Sequence, residues 1–172
     1  MTVNMNSRKL TLVKWLDVSH QVGVVDAHNF DNNAVLYTVG HLVSENEKFI
    51  NLALSENPTN SGVLYTSVIS IPVGLIISKK TIKPSLTELP ESAEGILGCV
   101  IQYLDASKHE ELEDTDSFKE GIECWAFGSF LYKDEKCISI AQDTDGSGRF
   151  AREVFHIPNS CILNISFAKF KK

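Results

Sequence analysis

The stretch LYTVGHLVSENEKFINLAL at residues 36–54 decides the fold prediction, because it contains two β-rich runs joined by a polar turn. Its first run is rich in the aromatic and β-branched residues that favour strands. SENE at 44–47 supplies the turn, and the run after it alternates through Ile50, Leu52 and Leu54. Such alternation indicates a strand with one buried face, so the stretch predicts a β-hairpin.

The same pattern returns 88 residues later as CWAFGSFLYKDEKCISIAQ at 124–142. The match reaches back to WLDVSH at 15–20, which falls on YLDASK at 103–108. Further along the chain the offset becomes 86, and the Ile-Pro step at 71–72 falls on the one at 157–158. Two matching blocks separated by one small length change predict an internal duplication of a small module.

The duplication divides the chain into a first module at 1–82, a linker at 83–95 and a second module at 96–172. The linker is rich in proline, acidic residues and serine, as is typical of an exposed connection. Each module offers about five short β segments, a spacing that favours a small barrel. We therefore predict an all-β fold of two tandem SH3-like or Sm-like barrels, with a single fused sheet as the alternative. Each barrel alone has a small core, so packing of the modules on each other or homo-oligomerisation is expected.

Composition and charge narrow the class of protein. The 172 residues are 43% apolar and 22% charged, which indicates a globular chain. The net charge of −6 argues against a nucleic-acid partner, because an acidic surface repels phosphate. The start MTVNMNSRKL lacks the apolar core of a signal peptide, and no stretch has the roughly 18 apolar residues of a membrane span. A cytoplasmic location and no membrane partner are expected.

The sequence predicts neither an enzyme nor a cofactor. No phosphate-binding loop, serine-nucleophile motif or dinucleotide fingerprint occurs, and no histidines have metal-ligand spacing. The four cysteines are all in the second module and form no C-x-x-C pair, so we expect buried apolar residues rather than a zinc site.

Candidate binding residues occur where the first segment of each copy ends. An aspartate and a serine two residues later could hydrogen-bond a ribose or a base edge, and the aromatic residue before them could stack on a base. The competing interpretation is a local turn for the polar pair and a core position for the aromatic. Because both copies hold the pattern, it predicts two equivalent sites or two equivalent turns. The residues are Trp15, Asp17 and Ser19 in the first copy and Tyr103, Asp105 and Ser107 in the second.

The loop DTDGSGRFARE at 143–153 begins like a calcium-binding loop, but its closing position falls on Val154, which favours a polar hairpin turn. Arg149 and Arg152 in this loop could receive an anionic ligand, because guanidinium groups suit phosphate. The matching loop of the first copy, NPTNSG, has no arginine. A phosphate site would therefore be asymmetric between the modules or completed by another subunit.

The pattern W-x-D-x-[SH], then V-G-x-L, then I-P before an apolar strand resembles that of short uncharacterised proteins of bacteriophages and prophages. The second copy departs from it at three positions, Tyr103, Lys108 and Phe127. The resemblance implies a phage-encoded accessory protein that acts in the cytoplasm of the host cell. The residues that carry it are Trp15, Asp17, Ser19, His20, Val39, Gly40, Leu42, Ile71, Pro72 and Ile76.

Three functions compete. The first is a non-enzymatic binding protein that sequesters a small nucleotide-type host immune signal in a pocket between modules or subunits. The second is an adaptor or inhibitor of a host defence or nucleic-acid-processing protein, since SH3-like barrels offer strand edges and grooves to partners. The third, nucleic-acid binding, ranks last because of the negative charge.

Overall fold

The structure is a computed structural model that describes residues 8–17, 34–59, 62–90, 95–105, 122–145 and 149–171. The all-β class is confirmed: the described chain forms ten strands and two single 3₁₀ turns, with no α-helix. No helix in these ranges is long and apolar enough to cross a membrane. In the first half the strands are β1 (Leu10–Asp17), β2 (Ala34–Glu45), β3 (Phe49–Thr59), β4 (Gly62–Pro72) and β5 (Ile76–Ile82). In the second half they are β6 (Ile96–Asp105), β7 (Ile122–Lys133), β8 (Cys137–Thr144), β9 (Ala151–Pro158) and β10 (Ile162–Phe170).

The two halves have the same strand order. In the first half the strands pair in the order β5-β1-β2-β3-β4, and in the second in the order β10-β6-β7-β8-β9. All of these pairs are antiparallel, and short connections join β2 to β3, β3 to β4 and β7 to β8. The hairpin predicted at 36–54 is present as β2 and β3.

Irregularities in the ladders also fall at matched positions. The β2–β3 register shifts between Leu42 and Ser44, and the β7–β8 register shifts 88 residues later, between Phe130 and Tyr132. Ser67 in β4 and Glu153 in β9, 86 residues apart, both have left-handed backbone with φ near 50°.

Gly40 and Gly128, at matched positions of the two halves, mark close approaches between strands. A Cβ on Gly40 would lie 2.8 Å from the Ala53 carbonyl oxygen, and a Cβ on Gly128 would lie 2.7 Å from that of Ala141. Either contact would force the backbone apart, so only glycine fits these two places.

Strands of both halves belong to one hydrogen-bonded sheet. Strand β2 pairs with β3, β3 with β7, β7 with β8, and β8 returns to β2, so these four strands form a closed ring of pairings. The ten-stranded sheet is the arrangement that the fused-sheet alternative predicts. Closure of each half into an SH3-like or Sm-like barrel stays a prediction.

Apolar side chains from both halves meet in a shared core. One cluster joins Leu10 and Val39 of the first half to Val100, Phe127 and Phe170 of the second. Each fully buried side chain of this size contributes roughly 1.5–3 kcal/mol, so the contact between the halves is a large part of the folding free energy. Two further clusters lie mainly within the second half and within the first half.

Candidate functional site

A cleft of about 520 Å³ lies where the first half meets β8 and β9 of the second half. Its size falls within the roughly 300–1,000 Å³ typical of small-molecule pockets. Strands β1 and β4 supply one side and strands β8 and β9 the other. Polar and aromatic members of the lining are Trp15, Asp17, Ser67, Ser70, Gln142, Asp143, Arg152 and Glu153.

Arg152 joins the two halves across this cleft. Its Nη1 donates to Asp17 Oδ2 at 2.9 Å, and its Nη2 donates to Asp143 Oδ2 at 3.1 Å. Asp17 ends β1, and Arg152 lies on β9 directly opposite Asp143 of β8. The guanidinium is therefore held between one carboxylate from each half, in the charge-assisted geometry that favours arginine.

A chain of hydrogen bonds continues inward from Asp143. Thr38 Oγ1 donates to Asp143 Oδ1 at 2.5 Å, and Trp15 Nε1 donates to Thr38 Oγ1 at 2.7 Å. Pairing of β2 with β8 places Thr38 directly opposite Asp143 and so creates the first of these bonds. The chain fixes the orientation of the Trp15 indole at the cleft wall. We name the set of Trp15, Asp17, Thr38, Asp143 and Arg152 the open junction.

The environment of Asp143 perturbs its ionisation. Burial raises the pKa of the Asp143 carboxyl, while the hydrogen bond from Thr38 and the charge of Arg152 oppose that rise. Removal of a carboxylate from water disfavours its charged form, and the partners restore part of the loss. The charged form of Asp143 is therefore stabilised by Thr38 and Arg152 against the effect of burial.

A second, smaller cleft of about 260 Å³ adjoins the first and shares Asp17, Asp143 and Arg152 with it. Its apolar members are Leu36 and Phe150. The backbone N–H of Asp145 donates to the Phe150 carbonyl at 3.3 Å, which ties the two ends of the β8–β9 connection together.

The structure brings together three of the residues predicted from sequence, Trp15, Asp17 and Arg152. Tyr103 lies elsewhere, buried in the core of the second half with its ring edge-on to Phe155, and burial raises its pKa.

The remaining predicted residues do not line either cleft where they are described. Asp105 ends β6 and is exposed, and Arg149 is exposed in the β8–β9 connection. Ser19 and Ser107 lie outside the described residues, as does the centre of the calcium-like loop at 146–148. In the described ranges no group of three or more His, Cys, Asp or Glu side chains could hold a metal ion.

Sequence reasoning missed Thr38, Gln142 and Phe150, and it considered Asp143 only as a calcium ligand. Asp143 and Thr38 are 105 residues apart. Local sequence patterns therefore do not indicate that β2 pairs with β8. The matched offset was the available signal, because it places β2 and β7, and likewise β3 and β8, at equivalent positions of the two halves.

The matched contact between the halves, β3 with β7, has a different chemistry. Glu56 of β3 lies opposite Trp125 of β7, as Thr144 lies opposite Tyr37 at the open junction. Arg8 forms an ion pair with Glu56, and its guanidinium lies 5.2 Å from the centre of the Trp125 ring. We name Arg8, Glu56 and Trp125 the closed junction.

The closed junction is more deeply buried than the open junction. The Glu56 side chain is 0% exposed and that of Arg8 only 11%, whereas Arg152 at the open junction is 51% exposed. Burial raises the pKa of Glu56, and the charge of Arg8 opposes the rise. Positions matched to Asp143 and Arg152 hold Ser55 and Thr66, whose hydroxyls hydrogen-bond each other.

Comparison with known proteins gives no match to any family model, curated protein or solved structure.

Proposed function

We propose that this chain is a non-enzymatic binding protein whose main cleft takes one small nucleotide-type ligand. The observation that carries the proposal is the meeting of Asp17 from the first half with Arg152 from the second at 2.9 Å, beside the Trp15 ring. Both residues were chosen from sequence for the chemistry of ribose and phosphate recognition. Pockets between packed units are frequent ligand sites.

The chemistry of the open junction fits such a ligand. The Asp17 carboxylate is an acceptor for sugar hydroxyls, and its side chain is partly exposed. Arg152 uses two of its five N–H donors on the two aspartates, and half of its side chain faces water. The carboxylates of the cleft outnumber its one guanidinium, so a phosphate would bind Arg152 by taking the place of the Asp17 carboxylate, the more exposed of its two partners.

We expect one ligand per chain rather than two. At the closed junction the positions of Asp143 and Arg152 hold Ser55 and Thr66, and the carboxylate and guanidinium present there, Glu56 and Arg8, are buried. Arg8 and Trp125 are packed together at the same place. A site built from matched strands therefore retains binding chemistry at one junction alone.

We propose further that the halves are two copies of one SH3-like or Sm-like module. The equal strand orders, the matched register shifts and the matched left-handed residues Ser67 and Glu153 support this proposal. The phage origin and the role of the ligand as a host immune signal rest on the sequence resemblance alone.

The test is a thermal-shift and calorimetric screen against cyclic dinucleotides, cyclic trinucleotides and ADP-ribose. A ligand at a hundred times its dissociation constant adds about 2.7 kcal/mol of stability, which in a chain of this size raises the melting temperature by roughly 5–11 °C. Asp17→Asn and Arg152→Gln should abolish the shift.

Asp105→Asn is the matched control, because Asp105 holds the equivalent position in the other half and lies outside both clefts. It should bind like the parent. A flat screen with the parent protein would refute the proposed function.

One observation favours a protein partner as a second candidate. Strands β4 and β9 each pair on one side only among the described strands, and they expose apolar side chains. Open strand edges can accept a strand from a partner. Replacing Leu64 with Lys should then prevent co-purification of the partner and leave ligand binding intact. The exposed apolar residues on these strands are Val63, Leu64, Val68 and Val154.

A further inference from the structure

The smaller cleft beside Arg152 has the size of a single ring system. Its volume of about 260 Å³ lies below the roughly 300–1,000 Å³ of pockets that hold whole drug-sized ligands. Because it shares Asp17, Asp143 and Arg152 with the main cleft, one molecule can occupy both. A ligand held at Arg152 in the main cleft would therefore have its next group at the entrance of the smaller one.

Phe150 is an exposed aromatic residue that lines this smaller cleft. Its side chain is 72% exposed, more than any other large apolar side chain in the part of the chain that the structure describes. The hydrogen bond from Asp145 to the Phe150 carbonyl holds its backbone at the start of β9. An aromatic ring held at a cleft edge with its face in water is a stacking surface, and it accepts any base because every base has a π-face.

We propose that Phe150 stacks against the aromatic base of the ligand, while the ribose and phosphate lie in the main cleft at Asp17 and Arg152. The inference rests on the proposed function and adds to it that the ligand carries a flat base. The position matched to Phe150 in the first half is Leu64, which has no aromatic ring. The second half therefore has both the aromatic ring and the arginine, and the first half has neither of them at the matched positions.

The experiment compares two probes on four proteins by isothermal titration calorimetry. ADP-ribose carries a base, whereas ribose 5-phosphate has the sugar and a phosphate without one. The proteins are the parent, Phe150→Ala, Phe150→Leu and Val154→Ala. The leucine variant keeps an apolar side chain and removes the ring. Val154 is an exposed apolar residue of β9, the strand that begins directly after Phe150, and it lines neither cleft.

We expect both Phe150 variants to weaken ADP-ribose binding by roughly 5- to 150-fold, the range that loss of one base–aromatic stack produces. Binding of ribose 5-phosphate should be unchanged in them, and Val154→Ala should match the parent for both probes. If Phe150→Leu binds ADP-ribose as tightly as the parent, the stacking role is overturned while the proposed function stands.

Two other outcomes also overturn the inference. If the Phe150 variants lose both probes equally, Phe150 supports the fold of the site and not a base. If they bind both probes normally and instead lose self-association in sedimentation velocity, the ring belongs to a contact between copies. A parent protein that binds neither probe overturns the inference, and the nucleotide-binding function is overturned with it if the cyclic di- and trinucleotides of the screen also fail to bind.

Discussion

The open and closed junctions are built on matched strands but differ in how far their arginine is exposed to solvent. Each joins the second strand of one half to the third strand of the other, and each buries a carboxylate that an arginine neutralises. Arg8 reaches Glu56 from the segment before β1 and is packed on Trp125. Arg152 comes from β9 and stays half in water.

The difference teaches that matched strands can bury one arginine–carboxylate contact and leave the other accessible to solvent. At the closed junction the charged pair is inside the protein, so its contribution is to folding. At the open junction the arginine remains accessible, so the same type of contact can serve a ligand. Stability changes should therefore be large at the closed junction and small at the open one, and binding changes should show the reverse order.

The largest expected effect is that of Arg8→Ala. Removal of one partner from a buried ion pair leaves an uncompensated charge, which costs about 3–5 kcal/mol. Urea unfolding at neutral pH measures this loss. The double variant Arg8→Met with Glu56→Leu should recover most of it, because apolar replacements of a buried pair are often tolerated. A loss below 1 kcal/mol for Arg8→Ala would remove the distinction between the junctions.

Thr38→Val should have the next largest effect. The hydroxyl links Trp15 and Asp143, and its loss leaves a buried donor and a buried acceptor without that partner, at a cost of about 1–3 kcal/mol. Thr66→Val at the closed junction removes one hydroxyl contact in a less buried place and should cost less. Equal losses from the two valine variants would contradict the role given to the Trp15–Thr38–Asp143 chain.

The pH dependence of stability should carry the signature of Glu56. Burial raises the pKa of Glu56 in the folded chain, so the folded state binds a proton more tightly than the unfolded state. Its contribution to stability is then greatest below the unfolded pKa, about 4.3, and falls as the pH rises through the folded pKa, by at most about 1.4 kcal/mol per pH unit. Because Arg8 opposes the shift, Arg8→Ala should make the fall steeper.

Chemical denaturation between pH 4 and pH 7 tests this slope. Glu56→Gln should remove the part that Glu56 contributes. Glu123→Gln changes an exposed glutamate and should leave the slope as it is in the parent. A parent stability that rises with pH in this window, with no change in Glu56→Gln, would contradict the assignment.

Arg152→Gln should have the smallest effect on stability. Arg152 is half exposed, so water and salt screen its ion pair with Asp17 to about 0–1 kcal/mol. The buried Asp143 keeps its hydrogen bond from Thr38, and water that enters in place of the guanidinium solvates its carboxylate. The same variant should lose ligand binding, as the proposed function requires. Stability loss as large as that of Arg8→Ala would mean that both junctions serve the fold.

Much of the local structure could be predicted from sequence. Alternation through Ile50, Leu52 and Leu54 located β3, and the SENE turn located the hairpin. These features depend on neighbouring residues, whose preferences a sequence shows directly. The all-β class followed from them.

The site could be predicted only in part. Asp17 and Arg152 were found because carboxylate and guanidinium chemistry is visible in any sequence. Trp15 and Tyr103 occupy matched positions and are both buried in the core of their own half, but Trp15 also lines the main cleft. Comparison of the matched segments cannot show this difference. No sequence pattern indicated a buried ion pair at Arg8, because its partners lie on strands far along the chain.

The ring of β2, β3, β7 and β8 has a consequence for synthesis of the protein. Thr38 of β2 must wait for Asp143 of β8, which leaves the ribosome 105 residues later. At about 5–20 residues per second this interval lasts roughly 5–20 s. During this interval the backbone of β2 and β3 that later pairs with β8 and β7 is unpaired in the nascent first half. In a crowded polysome, a neighbouring nascent chain exposes the same unpaired backbone. Slow or paused translation of the second half should therefore favour chains that exchange halves with one another.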